Sequence, residues 1–240
     1  MNAPATLDDW RPRARPARVT LEGRACRLEP LDAARHAAGL YAANALDRDG
    51  HMWAYLGYGP FDDAGQYRRW VASAERSEDP VFVAVVDAGT GAPLGVASWM
   101  RIEPAHGVIE IGHLAWSPPL QRTRAATEAV MLLLAHAFAL GYRRCEWKCD
   151  ARNARSRAAA LRFGFTFEGV FRQHMVVKGH NRDTAWYSLL DHEWPAARAG
   201  FEGWLDPRNF DDTGRQRRSL RECRAAAGAR PSPAAHGDGT

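Results

Sequence analysis

From Gly107 to Leu140 the chain reads GVIEIGHLAWSPPLQRTRAATEAVMLLLAHAFAL. The six residues Gln121-Arg122-Thr123-Arg124-Ala125-Ala126 stand between an apolar run that reads as a strand, Val108 to Ala115, and a helix predicted over Arg124 to Leu140. The first amides of a helix have no carbonyl one turn back to bond. With the helix dipole behind them, two arginines among them and only methyl groups at Ala125 and Ala126, these amides make a cradle for a phosphate. The spacing is neither the G-x-x-x-x-G-K-[ST] of a nucleotide loop nor G-x-G-x-x-G. Two titratable groups precede the cradle. Glu110, half buried on a strand, would have a raised pKa suited to a base working near neutrality. The imidazole of His113 titrates near neutrality. Regular alternation puts the two on opposite faces of the strand, unless a bulge breaks the parity. Plainer readings stand beside these: arginines solvated at a helix start, and Glu110 paired with an arginine such as Arg101.

The surrounding elements must position these residues. Ser117, Pro118 and Pro119 stop the Val108 strand, because proline cannot donate to a central ladder. Val130, Leu133, Leu134 and Ala137 recur at helical spacing, and Gly141 ends the helix. Upstream, Arg18 to Leu28 alternates around Gly23 as a hairpin-like first strand. Asp32 is a candidate N-cap for a helix to Leu46, and Asp62 for a second helix, Asp63 to Ser77. Between them runs an aromatic, glycine-rich loop from His51 to Phe61. Val81 to Val86, a tight turn and Leu94 to Ile102 read as two antiparallel strands. Downstream come a strand at Arg144 to Cys149, a helix at Ala154 to Phe163 capped by Asn153, and a closing hairpin of Phe165 to Val177 and Asp183 to Leu190 around Gly179-His180-Asn181. The predicted order is β-α-α-β-β-β-α-β-α-β-β. Residues 1–17, rich in Pro, Ala and Arg, read as a flexible arm and 18–195 as the folded domain. Residues 196–220 read as an extension with a short helix packed on the domain, and 221–240 as a disordered tail.

Composition excludes several classes. The chain has 240 residues, 46% of them hydrophobic, and a formal charge of +4. That charge suits an anionic ligand and is too mild to demand nucleic acid. The longest apolar run, Ala129 to Leu140, is too short for a membrane span, which takes about 20 residues. Asp8, Asp9, Pro and Arg near the start do not form a signal peptide. Cys26, Cys145, Cys149 and Cys223 show no metal-ligand spacing and read as reduced thiols of a cytoplasmic protein.

The Gln121 to Ala126 loop resembles the acyl-CoA pyrophosphate loop, Q/R-x-x-G-x-G/A, of the GCN5-related N-acetyltransferase (GNAT) superfamily, with Arg124 where glycine is usual. The stretch Q-R-T-x-A-A-T-E-A, together with the element order over Arg18 to Pro195, is similar to the RimJ/RimL-like branch, which acetylates ribosomal proteins. The resemblance implies an α/β (α+β) fold with a mixed, twisted sheet of about seven strands and helices on both faces. It implies acetyl-CoA or another acyl-CoA as donor, an amine acceptor and no metal. Pyrophosphate would lie on the amides of Arg122 to Ala126, with Arg122 and Arg124 as charge-assisted donors to the phosphates, the 3′-phosphate included. Glu110, eleven residues before Gln121, matches the position of a general-base glutamate, with His113 as the rival. A backbone amide near Leu114 or Ala115 would polarise the thioester carbonyl. Asn153 and Ser156 match an N-x-x-S in which the first residue binds the pantetheine arm and the second protonates the departing thiolate; helix capping alone also explains both. Trp53, Tyr55 and Tyr58 resemble the wall of an acceptor site, or else are core, and Asp47, Asp49, Asp62 and Asp63 beside them would attract a cationic amine.

An acyl-CoA-dependent N-acyltransferase is therefore expected, with a protein N-terminal α-amine or a small-molecule amine as acceptor. The rival from another class is a non-catalytic module that binds CoA or a partner, motivated by Arg124. Ribosome or nucleic-acid binding through the arginine-rich tails rests on charge alone. Pairing into a homodimer stays open.

Overall fold

Burial on both faces of one strand shows how the layers are built. In Val81–Asp87, Val81, Val83 and Val85 enter one core while Phe82, Ala84 and Val86 enter another, as the two-residue period of a strand requires. The structure, a computed structural model, describes residues 7–228. Its strands are β1 (Leu21–Glu22), β2 (Cys26–Pro30), β3 (Val81–Asp87), β4 (Pro93–Glu103), β5 (Val108–Trp116), β6 (Arg144–Asp150), β7 (Thr166–Val177) and β8 (His180–Leu190). They form one sheet in the order β1-β2-β3-β4-β5-β6-β8-β7. The helices are α1 (Ala33–Asn44), α2 (Ala64–Ala74), α3 (Arg124–Ala139), α4 (Ala154–Phe163), α5 (Trp194–Leu205) and α6 (Leu220–Gly228). Residues of α1 and α2 share one core, and those of α3 to α6 share the other. The fold is thus the mixed sheet with helices on both faces that the sequence led us to expect.

Only β5 and β6 run parallel, and α3 is the crossover that a parallel pair needs. Their pairing covers Val108–Glu110 against Arg144–Glu146 and then ends. β6 instead stays paired with β8 along its whole length. The sheet therefore opens into a cleft between the second halves of β5 and β6, with α3 starting at its mouth.

Several local expectations are corrected. The first strand is a true hairpin, β1 against β2, so the sheet has eight strands. Asp63, not Asp62, caps α2 by accepting from Gln66 N at 2.7 Å. The β7–β8 turn is Lys178-Gly179, both with positive φ (48° and 77°), and so sits earlier than expected. Residues 7–17 lie against the domain: the Trp10 indole donates to Ala105 O at 2.7 Å, Arg13 N donates to Pro104 O at 3.0 Å, and Tyr142 OH donates to Ala14 O at 3.0 Å. After Pro195 the chain forms α5, an irregular return and α6. Leu220 and Cys223 of α6, three apart on one face, are buried, so the expected tail begins with a packed helix. Residues 1–6 and 229–240 lie outside the described residues. Among the described residues, no helix is long and apolar enough to cross a membrane, and no group of His, Cys, Asp or Glu is placed to hold a metal ion.

Candidate active site

At the mouth of the cleft, Thr123 caps α3. Its hydroxyl accepts from Ala126 N at 3.1 Å and donates to Leu120 O at 2.7 Å. Gln121 is spent on the turn itself, donating from Nε2 to Trp116 O at 2.8 Å. Arg122 holds φ 63°, a left-handed conformation uncommon outside glycine. Ala125 and Ala126 turn their methyl groups into the core. What the loop offers a ligand is therefore backbone: the amides of Arg122, Arg124 and Ala125, with no acidic residue in the helix's first turn. This is the charge pattern an anion needs, and it fits a pyrophosphate. The side chain of Arg124 leans away toward the C-terminal extension, with its guanidinium 4.7 Å from the Phe210 ring centre.

The expected bulge lies in β5. The register against β4 runs Ser98↔Gly112 and then Val96↔Ala115, so His113 and Leu114 stand opposite one residue, with His113 at φ 52°. Ala115 is back in register and Leu114 is not. The bulge also breaks parity. His113 packs on the same face as Glu110, its ring 5.5 Å from Tyr58 and 4.9 Å from Phe82. Burial lowers its pKa to about 4, so at neutral pH it is an uncharged ring in an aromatic stack with little drive to take a proton from an amine. That burial has a measurable cost. Between pH 6.5 and 4 the unfolded chain is protonated at this residue while the native one is not, so stability is complete above pH 6.5 and falls through that window. His113→Asn, which tolerates the left-handed backbone, is expected to remove about 2 kcal/mol of the acid-induced loss. Urea unfolding at pH 7 and pH 4.5 measures it, and an unchanged difference between the two pH values would contradict the assignment.

Glu110 lies at the apex of the cleft, opposite Glu146 in the last paired rung. It is 4% exposed and meets two cations, Lys148 Nζ and Arg101 Nε, each at 3.1 Å. The pairing with Arg101 is present, as the plainer reading held, and Lys148 joins it. Burial pushes the Glu110 pKa up; Lys148 and Arg101 pull it down less, and the net direction is up. The charges continue across the sheet from Lys148 to Glu146 at 2.6 Å, to Arg144 at 2.8 Å and to Glu168 at 2.5 Å. Lys148 also sits 3.7 Å over the Trp186 ring. Sequence reading passed over Lys148, although Glu146, Lys148 and Asp150 alternate with the buried Cys145, Trp147 and Cys149.

On the other wall, Asn153 caps α4 by accepting from Ser156 N at 3.0 Å, so the capping reading is correct as far as it goes. Its amide nitrogen remains to meet a ligand carbonyl. The Ser156 oxygen accepts from the Trp147 indole at 3.0 Å, which leaves the hydroxyl proton to donate. Ser156→Ala is expected to lower turnover about 10-fold with acetyl-CoA affinity within about 2-fold. Equal losses of affinity and turnover would make the residue structural only.

The aromatic loop divides. Trp53 is buried among Tyr58 and Phe61 and belongs to the core, so it is withdrawn as a wall residue. Tyr58 stacks between His113 and Trp70, its buried hydroxyl without a hydrogen-bond partner among the described residues. Tyr55 is at the rim, where its hydroxyl donates to Arg152 O at 3.3 Å. Lys178 at the tip of the β7–β8 hairpin donates to Trp53 O at 2.9 Å, so the hairpin reaches across to the loop. Of the flanking acids, Asp63 is consumed as a cap and Asp47 by Met52 N at 2.7 Å.

Comparison with known proteins matches residues 26–166 to the model of the acetyltransferase (GNAT) domain. The crystal structure of a GCN5-related N-acetyltransferase from Brucella melitensis superposes with a TM-score of 0.90 at 48% identity, over 91% of this chain and 100% of that one. YdaF of Bacillus subtilis, by its name a ribosomal N-acetyltransferase, is 30% identical over 172 residues, 70% of this chain and 90% of the relative. The ribosomal-protein-serine acetyltransferase of Escherichia coli is 30% identical over 99 residues, 40% of this chain and 54% of the relative.

Proposed function

The chain belongs to the GNAT acetyltransferase family, in its RimJ/RimL-like branch, and is an acyl-CoA-dependent N-acetyltransferase; we propose that its acceptor is a primary α-amine such as a protein N-terminus. One observation carries the reading: β5 parts from β6 beside a capped helix start whose amides are free, and both candidate proton carriers line the opening. The donor supplies an activated acyl group as a thioester. Glu110 accepts the proton that the attacking amine must lose, the Leu114 amide faces the charge that develops on the carbonyl oxygen, and Ser156 returns a proton to the leaving sulfur. A carboxylate tied to Lys148 and Arg101 is a modest base. It suits an α-amine, with an ordinary pKa near 7.7–8.0, better than a lysine near 10.4. The names of the two ribosomal relatives support the same acceptor class.

Arg124 motivated the rival reading of a non-catalytic module, and its lean onto Phe210 favours the enzyme by leaving the cradle amides uncovered. Thiol release from acetyl-CoA is the test, with three peptides: one with a free N-terminus, one with a blocked N-terminus and a lysine, and one with neither. Release with the first alone is expected. Transfer to lysine and none to the free N-terminus would sink the acceptor assignment, and binding without release would install the module.

A further inference from the structure

Arg124 and Thr127, three residues apart, lie side by side on one face of α3 about 5 Å along its axis. Arg162 of α4 reaches the same place, donating from Nη1 to Thr127 Oγ1 at 3.1 Å. Both guanidiniums rest on rings of the C-terminal extension, Arg124 on Phe210 at 4.7 Å and Arg162 on Trp204 at 4.9 Å. The two rings meet edge to face at 5.2 Å. Among the described residues neither arginine has a carboxylate partner. The nearby acids are committed elsewhere, Glu128 to backbone amides of the first hairpin and Asp206 to Arg208 at 2.5 Å. Two planar cations held on adjacent rings, without counterions, beside an amide cradle are built to take a second phosphate.

We propose that Arg124 and Arg162, held by Phe210 and Trp204, form a phosphate-monoester site that reads the 3′-phosphate of the CoA nucleotide. The C-terminal extension, which lies beyond the matched domain at 26–166, is then part of the donor site. The inference rests on the acyl-CoA reading and extends it from Arg124 to Arg162, Phe210 and Trp204, which neither the loop motif nor the cap explains. The Arg124 position, where the family loop has glycine, gains a purpose: the side chain reaches sideways to a second anion and leaves the backbone to the first.

Binding of CoA and of dephospho-CoA by calorimetry at one fixed ionic strength tests this on the full chain. The natural protein is expected to prefer CoA by about 10-fold or more. Arg162→Gln and Arg124→Gln should each reduce that preference to about 3-fold or less, through weaker CoA binding with dephospho-CoA little changed. Phe210→Leu keeps the apolar bulk and removes the ring, and it should lower the preference in the same way. Combined with Arg124→Gln it should add nothing further, since both act through one guanidinium. Thermal unfolding of Phe210→Leu near that of the natural chain shows that the extension stays folded. Equal affinity of the natural protein for the two ligands, or a preference that survives all three substitutions, overturns the proposal. Inorganic phosphate that binds alongside CoA without competing would assign the pair to free phosphate and overturn it equally. Binding of neither nucleotide would overturn the acyl-CoA reading itself, a different result from equal binding.

Discussion

Glu110→Gln is expected to lower the turnover number by about 10²- to 10³-fold while acetyl-CoA affinity stays within about 2-fold. Glutamine keeps the shape of the side chain, but it cannot hold the amine's proton. The cradle lies at the other end of β5, built from backbone, so donor binding has no reason to change. The pH profile separates this role from a structural one. Burial raises the Glu110 pKa above the ordinary glutamate value despite its two cations. Activity should therefore decline as pH falls through that raised value, because the carboxylate arrives already protonated. In Glu110→Gln the acid limb of the profile should flatten. Lys148→Met removes the larger of the two downward influences and should move the acid limb to higher pH. A Glu110→Gln enzyme that keeps both its rate and its acid limb would transfer the base role elsewhere, to a water relay or another group. His113, at about 4, is a poor heir.

Glu128→Ala is expected to cost about 3–5 kcal/mol of folding stability. In a chain of this size that is about 10 °C in unfolding temperature. The carboxylate, 3% exposed on α3, accepts three backbone N–H groups of the first hairpin: Arg24 at 2.9 Å, Ala25 at 2.6 Å and Cys26 at 3.0 Å. The approach is so close that a Cβ on Gly23 would stand 2.6 Å from the Glu128 Cδ, which is why glycine occupies that place. Removing the carboxylate leaves three donors unmet, that of Cys26 buried and those of Arg24 and Ala25 partly so, and the penalty is their desolvation. Glu128→Gln, keeping one acceptor oxygen, should fall between the two. Differential scanning calorimetry measures the series, and a loss under about 1 kcal/mol would show that water replaces the carboxylate.

Both residues show where reading a chain reaches and where it stops. The helix over Arg124–Ala139, the caps at Asp32 and Asn153 and the doubly buried strand Val81–Asp87 all follow from patterns contained within a few residues, because period and capping are local physics. The amide cradle was legible for the same reason: a strand, a stop and a helix start are adjacent in sequence. The base candidate was legible only as an offset. Whether Glu110 and His113 share a face depended on a bulge, and the bulge exists because β4 and β5 fall out of register across a pairing no single segment encodes.

Long-range partners were beyond reach. Glu128 and the hairpin amides are 102 to 104 positions apart, and Lys148 meets Glu110 because β6 carries it two residues past the last rung it shares with β5. Trp53 shows the opposite limit. An aromatic in a glycine-rich loop can face a ligand or a core with equal local plausibility, and the α2 layer decided for the core. The C-terminal extension read as a short helix packed on the domain, but not what it packs on: its Phe210 and Trp204 meet arginines from α3 and α4. Elements, caps and the anion-binding turn are thus matters of local sequence, whose hydrogen bonds close within a turn or two. The base's cationic partners, the carboxylate that ties α3 to the sheet edge and the aromatic support for a second phosphate come from the tertiary structure alone. Each depends on side chains that only chain closure brings within about 5 Å of one another.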